Sequence, residues 1–294
     1  MADRRELAAF LRAKRERLSP TAAGLPSGRR RRTPGLRREE VAELAGIGTA
    51  WYTFLEQGRD VRPSEGALRR IARALRLSDA EKTYFLKLAM ERAPRRRAPE
   101  EAVTPPLLML LEKLSCPALV MGQRWDLLAY NEEANAVLNL EFIPDRNLLR
   151  SLFSIQERRL YPNWEPMVRQ HVAAFRAQNA GSLAEPWIAE IIDELREQQP
   201  QFSQFWAEHE VGELGSGHET LDHPFVGRLY WNFVCVVSPD RPHLTMKVHY
   251  SDRVETRERV EELYRQFAAG EHSAEQNLWT ALTAPVATAA LASD

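Results

Sequence analysis

Two pairs of arginines bracket a short segment near the N-terminus, and their cationic side chains are suited to binding phosphate groups. The pairs are Arg37, Arg38, Arg59 and Arg62. A guanidinium donates paired hydrogen bonds to phosphate oxygens, and such contacts hold a protein on a nucleic-acid backbone without reading its sequence. In the Pro/Gly-rich loop before them, the run "RRRR" includes Arg30 and Arg31, which we expect to reach the DNA backbone or minor groove. A loop that only aids solubility is the alternative for this run.

The segment between those pairs has the pattern of two short helices separated by a glycine. Val41 and Ala45 are four residues apart, as on one helix face, and Tyr52 and Leu55 give a second helix a similar apolar face. Between them, Gly46 can adopt the positive φ that ends a helix. This spacing indicates a helix-turn-helix, in which the second helix is presented to the DNA major groove. An ordinary helical hairpin without a role in DNA binding is the alternative.

The second helix also supplies candidates for reading bases. The side chains that point away from its apolar face are Thr49, Ala50, Thr53 and Phe54. We predict that they contact base edges while the arginines hold phosphates. Since one such unit covers a single half-site, we predict a homodimer on a near-palindromic operator in double-stranded DNA.

The charge distribution indicates that the two halves of the chain have different functions. Residues 1–99 carry 24 Lys+Arg against 12 Asp+Glu, which leaves 16 against 29 for residues 100–294. The net charge of −1 therefore hides a basic half and an acidic half. Such asymmetry is typical of a nucleic-acid-binding domain joined to a domain with another role.

Aromatic residues crowd the helical part of the second half and suggest the wall of a ligand cavity. The ligand-binding set that we predict is Arg150, Phe153, Trp164, Phe202 and Trp206. In an apolar setting, the guanidinium of Arg150 is the group expected to meet a ligand carboxylate. Core packing is the alternative for each aromatic residue, and a solvated ion pair is the alternative for Arg150.

An enzymatic role for the second half is the alternative to these binding roles. His209, His218 and His223 lie near several carboxylates, as in a metal or acid–base site, but the two histidines of "HETLDH" are five residues apart. That spacing places them on opposite faces of a strand and aligns them poorly on a helix. We therefore predict no enzyme, no metal and no resident cofactor. A third hypothesis makes the second half only a dimerisation module.

The length of the chain and a Pro/Arg-rich segment within it indicate two domains. We predict a helix-turn-helix domain over 1–93, a Pro/Arg-rich linker over 94–106, a ligand-binding domain with a C-terminal helix over 107–272 and a poorly ordered tail over 273–294. A strand pair, helices and a second strand pair give the ligand-binding domain an α+β order. No run approaches the roughly 18 apolar residues of a membrane span, and Cys116 and Cys235 have no partners of a zinc site or disulfide framework. We therefore expect a cytoplasmic protein without a membrane partner.

The stretch "TPGLRREEVAELAGIGTAWYTFLEQGRDVRPS" resembles the DNA-binding domain of MmyB-like regulators, a branch of the lambda-repressor-like (XRE) class. Downstream, "RWDLLAYNEEANAV", "NLLRSLF", "LYPNWE", "FSQFWAEHEV" and "HPFVGRL" resemble the sensor domain of that family in the same order. The resemblance implies an all-α lambda-repressor-like domain followed by an α+β PAS-like domain that binds a small apolar ligand, such as a fatty acid. Gly48 departs from the pattern, since such regulators usually carry a capping serine there.

Overall fold

The first five helices follow the apolar periodicity of the N-terminal sequence. The computed structural model describes residues 2–26, 35–90 and 101–269. In its N-terminal part the helices are α1 (Ala2–Arg17), α2 (Arg38–Ala45), α3 (Thr49–Glu56), α4 (Glu65–Ala74) and α5 (Asp79–Met90). Their buried face contains Phe10, which packs edge-on against Tyr84 with ring centroids 5.2 Å apart.

The turn between α2 and α3 has the predicted geometry. Gly46 adopts a φ of +60°, and the N–H of Ile47 donates to the carbonyl of Ala42 at 3.0 Å. This pairing closes the end of α2 in the manner of a Schellman motif. The predicted apolar faces of the two helices are confirmed, since Val41, Ala45, Tyr52 and Leu55 are all buried.

Within residues 101–269, eight further α-helices follow. They are α6 (Pro105–Lys113), α7 (Glu132–Leu138), α8 (Leu148–Ser151), α9 (Ile155–Leu160), α10 (Trp164–Gln178), α11 (Pro186–Gln198), α12 (Pro200–Ala207) and α13 (Val254–Ala268). In α11, the buried residues Ile188, Ile191, Ile192 and Leu195 form the stripe expected of an amphipathic helix. Pro186 occupies its first turn, where a proline costs no helical hydrogen bond.

The same described range, 101–269, contains a sheet of five antiparallel strands. The strands are β1 (Ala118–Met121), β2 (Leu127–Tyr130), β3 (Ser216–His223), β4 (Gly227–Ser238) and β5 (Arg241–Tyr250). Their order is β2-β1-β5-β4-β3, so the two predicted strand pairs join in one sheet through β1 and β5. The all-α domain followed by an α+β domain is thereby confirmed.

Apolar side chains lie on both faces of this sheet. Leu221, Leu229 and Trp231 pack with Val260 and Leu263 of α13. Ala118, Val120, Leu244 and Met246 pack with Leu111 of α6 on the opposite face. The C-terminal helix therefore packs on the sheet of its own chain, and Val254 at its start is exposed.

The described residues form two compact units whose borders interrupt the chain. One unit contains residues up to 90 together with 169–213, and the other contains 101–168 together with 214–269. Residues 169–213, which the sequence assigns to the second domain, thus pack in the same unit as α1 to α5. The predicted borders at 93, 107 and 272 stay predictions, and most of the predicted linker and all of the predicted tail lie outside the described residues.

Candidate DNA-binding and ligand-binding sites

The outer face of α3 carries the residues predicted to read bases. Thr49, Ala50 and Phe54 are exposed and Thr53 is half-buried, whereas Tyr52 is buried beneath them. The first N–H groups of α3, like those of any helix, have no intrahelical partner, and Gly48 at the N-cap has no side chain to accept from them. This face is therefore accessible to a partner, and its base contacts stay a prediction.

The predicted phosphate-binding arginines have different surroundings. Arg37 and Arg62 are exposed, and the guanidinium carbon of Arg59 lies 4.6 Å from the centre of the Phe54 ring. That stacking holds the cation of Arg59 beside α3. Arg30 and Arg31 lie outside the described residues.

Arg38 has a structural partner that the sequence did not predict. Its Nε donates to Glu56 at 2.9 Å, and Arg15 donates to the same carboxylate through Nε at 2.7 Å and Nη2 at 2.9 Å. Glu56 has no exposed side-chain surface. Burial would raise the pKa of Glu56, but hydrogen bonds and the positive charges of Arg15 and Arg38 lower it overall. Glu56 thus ties the end of α3 to α1 and α2, and its spacing of four from Tyr52 was the available signal that it faces inward.

A second buried ion pair joins α1 to α10. Arg176 has no exposed side-chain surface, and it donates to the carboxylate of Glu6 and to the carbonyl of Trp206. Its guanidinium carbon lies 3.8 Å from the centre of the Trp206 ring. Glu6 Oε1 also accepts from Tyr84 at 2.7 Å and lies 3.2 Å from His209 Nδ1.

The electrostatics of Glu6 follow from these partners. Burial would raise its pKa, but the hydrogen bond with His209 and the charge of Arg176 together lower that pKa to about 2. Glu6 is therefore ionised at any physiological pH. Sequence reasoning missed this pair because its members are separated by 170 positions and neither belongs to a local motif.

The predicted ligand-binding residues fall into two groups. Phe153 and Trp164 meet edge-on with ring centroids 6.0 Å apart, and Trp164 Nε1 donates to the carbonyl of Leu152 at 2.7 Å. Arg150, in α8, donates its backbone N–H to Asn147 Oδ1 at 3.0 Å. The remaining pair, Phe202 and Trp206, stacks with ring centroids 5.5 Å apart and belongs to the other compact unit. Trp206 also lines a cleft of about 640 Å³.

Next to Arg150 along the chain, Ser151 leads to a buried polar cluster on the sheet. Ser151 Oγ donates to Glu157 Oε1 at 3.0 Å, and burial is the main reason that the pKa of Glu157 rises to about 7. Glu219 accepts from Lys247 Nζ at 2.7 Å and lies 3.5 Å from His249 Nε2. Burial also lowers the pKa of His249. Lys247 and His249 are two apart on β5, so strand periodicity places them on one face, and that spacing was the signal sequence reasoning overlooked.

The three histidines considered for an enzymatic site belong to different compact units. His218 lies opposite Asn232 and His223 opposite Gly227 where β3 pairs with β4, while His209 belongs to the other unit and contacts Glu6. Within residues 2–26, 35–90 and 101–269, no three His, Cys, Asp or Glu side chains form a group able to hold a metal ion. In the same residues, no helix is both long and apolar enough to cross a membrane.

Comparison with known families assigns both halves of the chain. Residues 103–288 match the MmyB-like transcription regulator ligand binding domain, and residues 6–85 match a helix-turn-helix domain. The chain belongs to the MmyB-like transcription regulators. No curated protein matches it significantly.

The two family matches confirm the resemblance drawn from the sequence motifs, and they make this MmyB-like protein a ligand-responsive transcription regulator. The matched residue ranges also differ from the borders of the two compact units. Residues 169–213 belong to the ligand-binding region of the MmyB-like family, yet they pack in one unit with the helix-turn-helix. Arg176 is thus a residue of the ligand-binding region that holds a helix of the DNA-binding region.

Proposed function

We propose that this MmyB-like regulator binds a near-palindromic operator as a homodimer and that a small apolar ligand changes its affinity for DNA. The observation that carries the DNA part is the exposed face of α3, with Thr49, Ala50 and Phe54 accessible and Arg59 stacked beside them. Two copies would place their α3 helices in successive major grooves about 34 Å apart. Exposed Arg37 and Arg62 would hold phosphates on either side.

Sedimentation of the full chain with operator DNA tests the assembly. We expect two chains per operator at saturation, because one helix-turn-helix covers only a half-site. A single chain per saturated operator would contradict the proposal.

For the ligand, we propose a molecule of the fatty-acid type held by the PAS-like domain near Arg150, Phe153 and Trp164. Each buried CH₂ contributes roughly 0.8 kcal/mol, so about a dozen methylenes contribute on the order of 10 kcal/mol before costs. Losses of roughly 4 to 15 kcal/mol on association offset most or all of this gain, so the chain alone leaves at most about 6 kcal/mol, which is a dissociation constant of roughly 40 μM before the carboxylate contributes. The family description supports a ligand, and the aromatic pair of Phe153 and Trp164 supports an apolar one.

Two measurements test this ligand and separate it from a domain that only mediates dimerisation. Fatty acids are titrated into the full chain while tryptophan fluorescence is followed, and an organic extract of the purified protein is examined for retained lipid. We expect a saturable change that Arg150→Ala weakens, with Arg265→Ala on the exposed surface of α13 as the matched control. No saturable response and no retained lipid would leave the second half as a dimerisation module.

A further inference from the structure

A cleft of about 640 Å³ lies against α1, α11 and α12 in the unit that contains the helix-turn-helix. Its apolar lining is formed by Leu183, Ala184, Ala189, Ile192, Trp206 and Ala207. Binding sites for small organic molecules have volumes of roughly 300 to 1,000 Å³ and mainly apolar walls. The cleft therefore has the size and lining of a site for a molecule with an apolar body.

The charged residues of the cleft favour an anion. Glu6 is already matched by Arg176, so the other charged lining residues are two arginines, Arg5 and Arg196, and one carboxylate, Asp193. The ion pair between Arg196 and Asp193 is 3.7 Å long, and both side chains are more than half exposed. Such a pair contributes little free energy, so a ligand anion can take the place of Asp193 beside Arg196.

Helix α1 connects the cleft with the DNA-reading helix. Arg5, Glu6 and Ala9 line the cleft from α1, and nine positions after Glu6 the same helix presents Arg15 to the buried carboxylate of Glu56. Nine residues of α-helix span about 14 Å. Because Glu56 lies in the last turn of α3, a displacement of α1 at the cleft would also displace the contact that holds α3.

We propose that this cleft is an effector site that binds a small anion with an apolar body and that the bound anion changes DNA affinity through α1. The site is separate from the one near Arg150, and the inference rests on the proposed function in requiring a ligand-responsive regulator. Trp206 and Ile192 supply the apolar contact, and Arg5 and Arg196 bind the acidic group. The response then passes from Glu6 along α1 to Glu56.

Calorimetric titration of the full chain with decanoate tests the site, with decanol as the uncharged control. The double variant Arg5→Ala/Arg196→Ala removes both cations from an exposed surface, and Ala189→Trp fills the cleft. The matched control is Arg265→Ala, which removes another exposed arginine from an i,i+3 ion pair, on α13. We expect the double variant to bind decanoate about tenfold more weakly or worse, since charge-assisted hydrogen bonds are lost. Ala189→Trp should abolish binding at this site, and Arg265→Ala should leave it unchanged.

Operator affinity with and without decanoate provides the second measurement. The parent chain should change its DNA affinity on adding decanoate, and Ala189→Trp and the double variant should not. If both variants bind decanoate with the stoichiometry and affinity of the parent, the cleft is refuted as a site and the proposed function is left standing. Loss of binding in the variants, with no effect of decanoate on the parent's DNA affinity, would refute the route through α1. A parent that neither binds decanoate nor retains lipid would refute the site and the ligand part of the proposed function together. Circular dichroism of each variant confirms that it is folded.

Discussion

Replacing Glu6 by glutamine probes the buried pair that joins α1 to α10. The substitution keeps the shape of the side chain but removes the charge that faces Arg176, whose side chain has no exposed surface. In the folded chain the pKa of Glu6 falls from 4.5 to about 2. At about 1.4 kcal/mol for each tenfold change in acidity, the ionised carboxylate contributes about 3 kcal/mol to the stability of this unit at neutral pH.

The pH dependence of this contribution has a definite sign. Because the pKa of Glu6 is lower in the folded chain, its contribution is complete above pH 4.5 and is lost as the pH falls towards 2. Between pH 7 and pH 4, the difference in stability between the parent and Glu6→Gln should therefore shrink by about 1 kcal/mol. A substitution that acted only by disturbing the packing would give the same difference at both values of pH.

Hydrogen exchange of the full chain, measured by mass spectrometry on peptides from α1 and α5, reports the free energy of opening in this unit. We expect the opening free energy to fall by about 3 kcal/mol in Glu6→Gln at pH 7. Asp60→Asn is the matched control, because it removes the partner of Arg4 in a largely exposed pair and should cost less than about 1 kcal/mol. A loss below about 1 kcal/mol in Glu6→Gln would show that water screens the pair and would refute the reasoning.

Three more predictions follow from particular contacts. Arg62→Ala should weaken binding to all DNA sequences and lower the slope of log affinity against log salt concentration by about 1, without changing stability. Arg38→Ala should weaken DNA binding in the same way and also reduce the free energy of unfolding by about 1 kcal/mol or more, because Glu56 loses a partner. Equal unfolding of the two variants in urea would contradict this. Glu157→Gln should make the chain more stable than the parent by up to about 3 kcal/mol at pH 8, and the two should be equally stable near pH 4. The reason is that a pKa of about 7 makes ionisation of the buried carboxyl costly above pH 4.5. A difference in urea midpoints that does not depend on pH would rule out this explanation. Gly48→Ser should stabilise α3 by a few tenths of a kcal/mol, because a serine at the N-cap can accept from the first N–H groups of the helix. The φ of −69° suits any residue, and an added Cβ meets open space. Hydrogen exchange in α3 that is unchanged or faster would contradict this prediction.

Local features of the fold were predictable from the sequence, because each depends on residues a few positions apart. Gly46 supplies the positive φ between α2 and α3, and Asn131 caps α7 by accepting from the N–H of Ala134 at 3.0 Å. Strand β3 was not predicted, since "SGHETLDH" is polar and its apolar contribution to the core is confined to one face. The Glu6 and Arg176 pair had no local signal at all. The face of α3 could thus be predicted, whereas the contacts that hold α1 and α3 in place depend on tertiary pairing.

The placement of residues 169–213 beside the helix-turn-helix limits how this chain can be cut or recombined. A fragment that ended in the linker would keep Glu6 and Tyr84 but lose Arg176 and His209. The carboxylate of Glu6, which pairs with the buried cation of Arg176 in the full chain, would then face solvent. Exchange of DNA-binding domains between relatives at that linker would create the same mismatch wherever the incoming α1 lacks an acidic residue at this position. Changes at positions 6 and 176 are therefore expected to occur together in evolution. A linker between the two halves suggests that they can be exchanged freely, but this pair makes exchange depend on matching residues at the two positions.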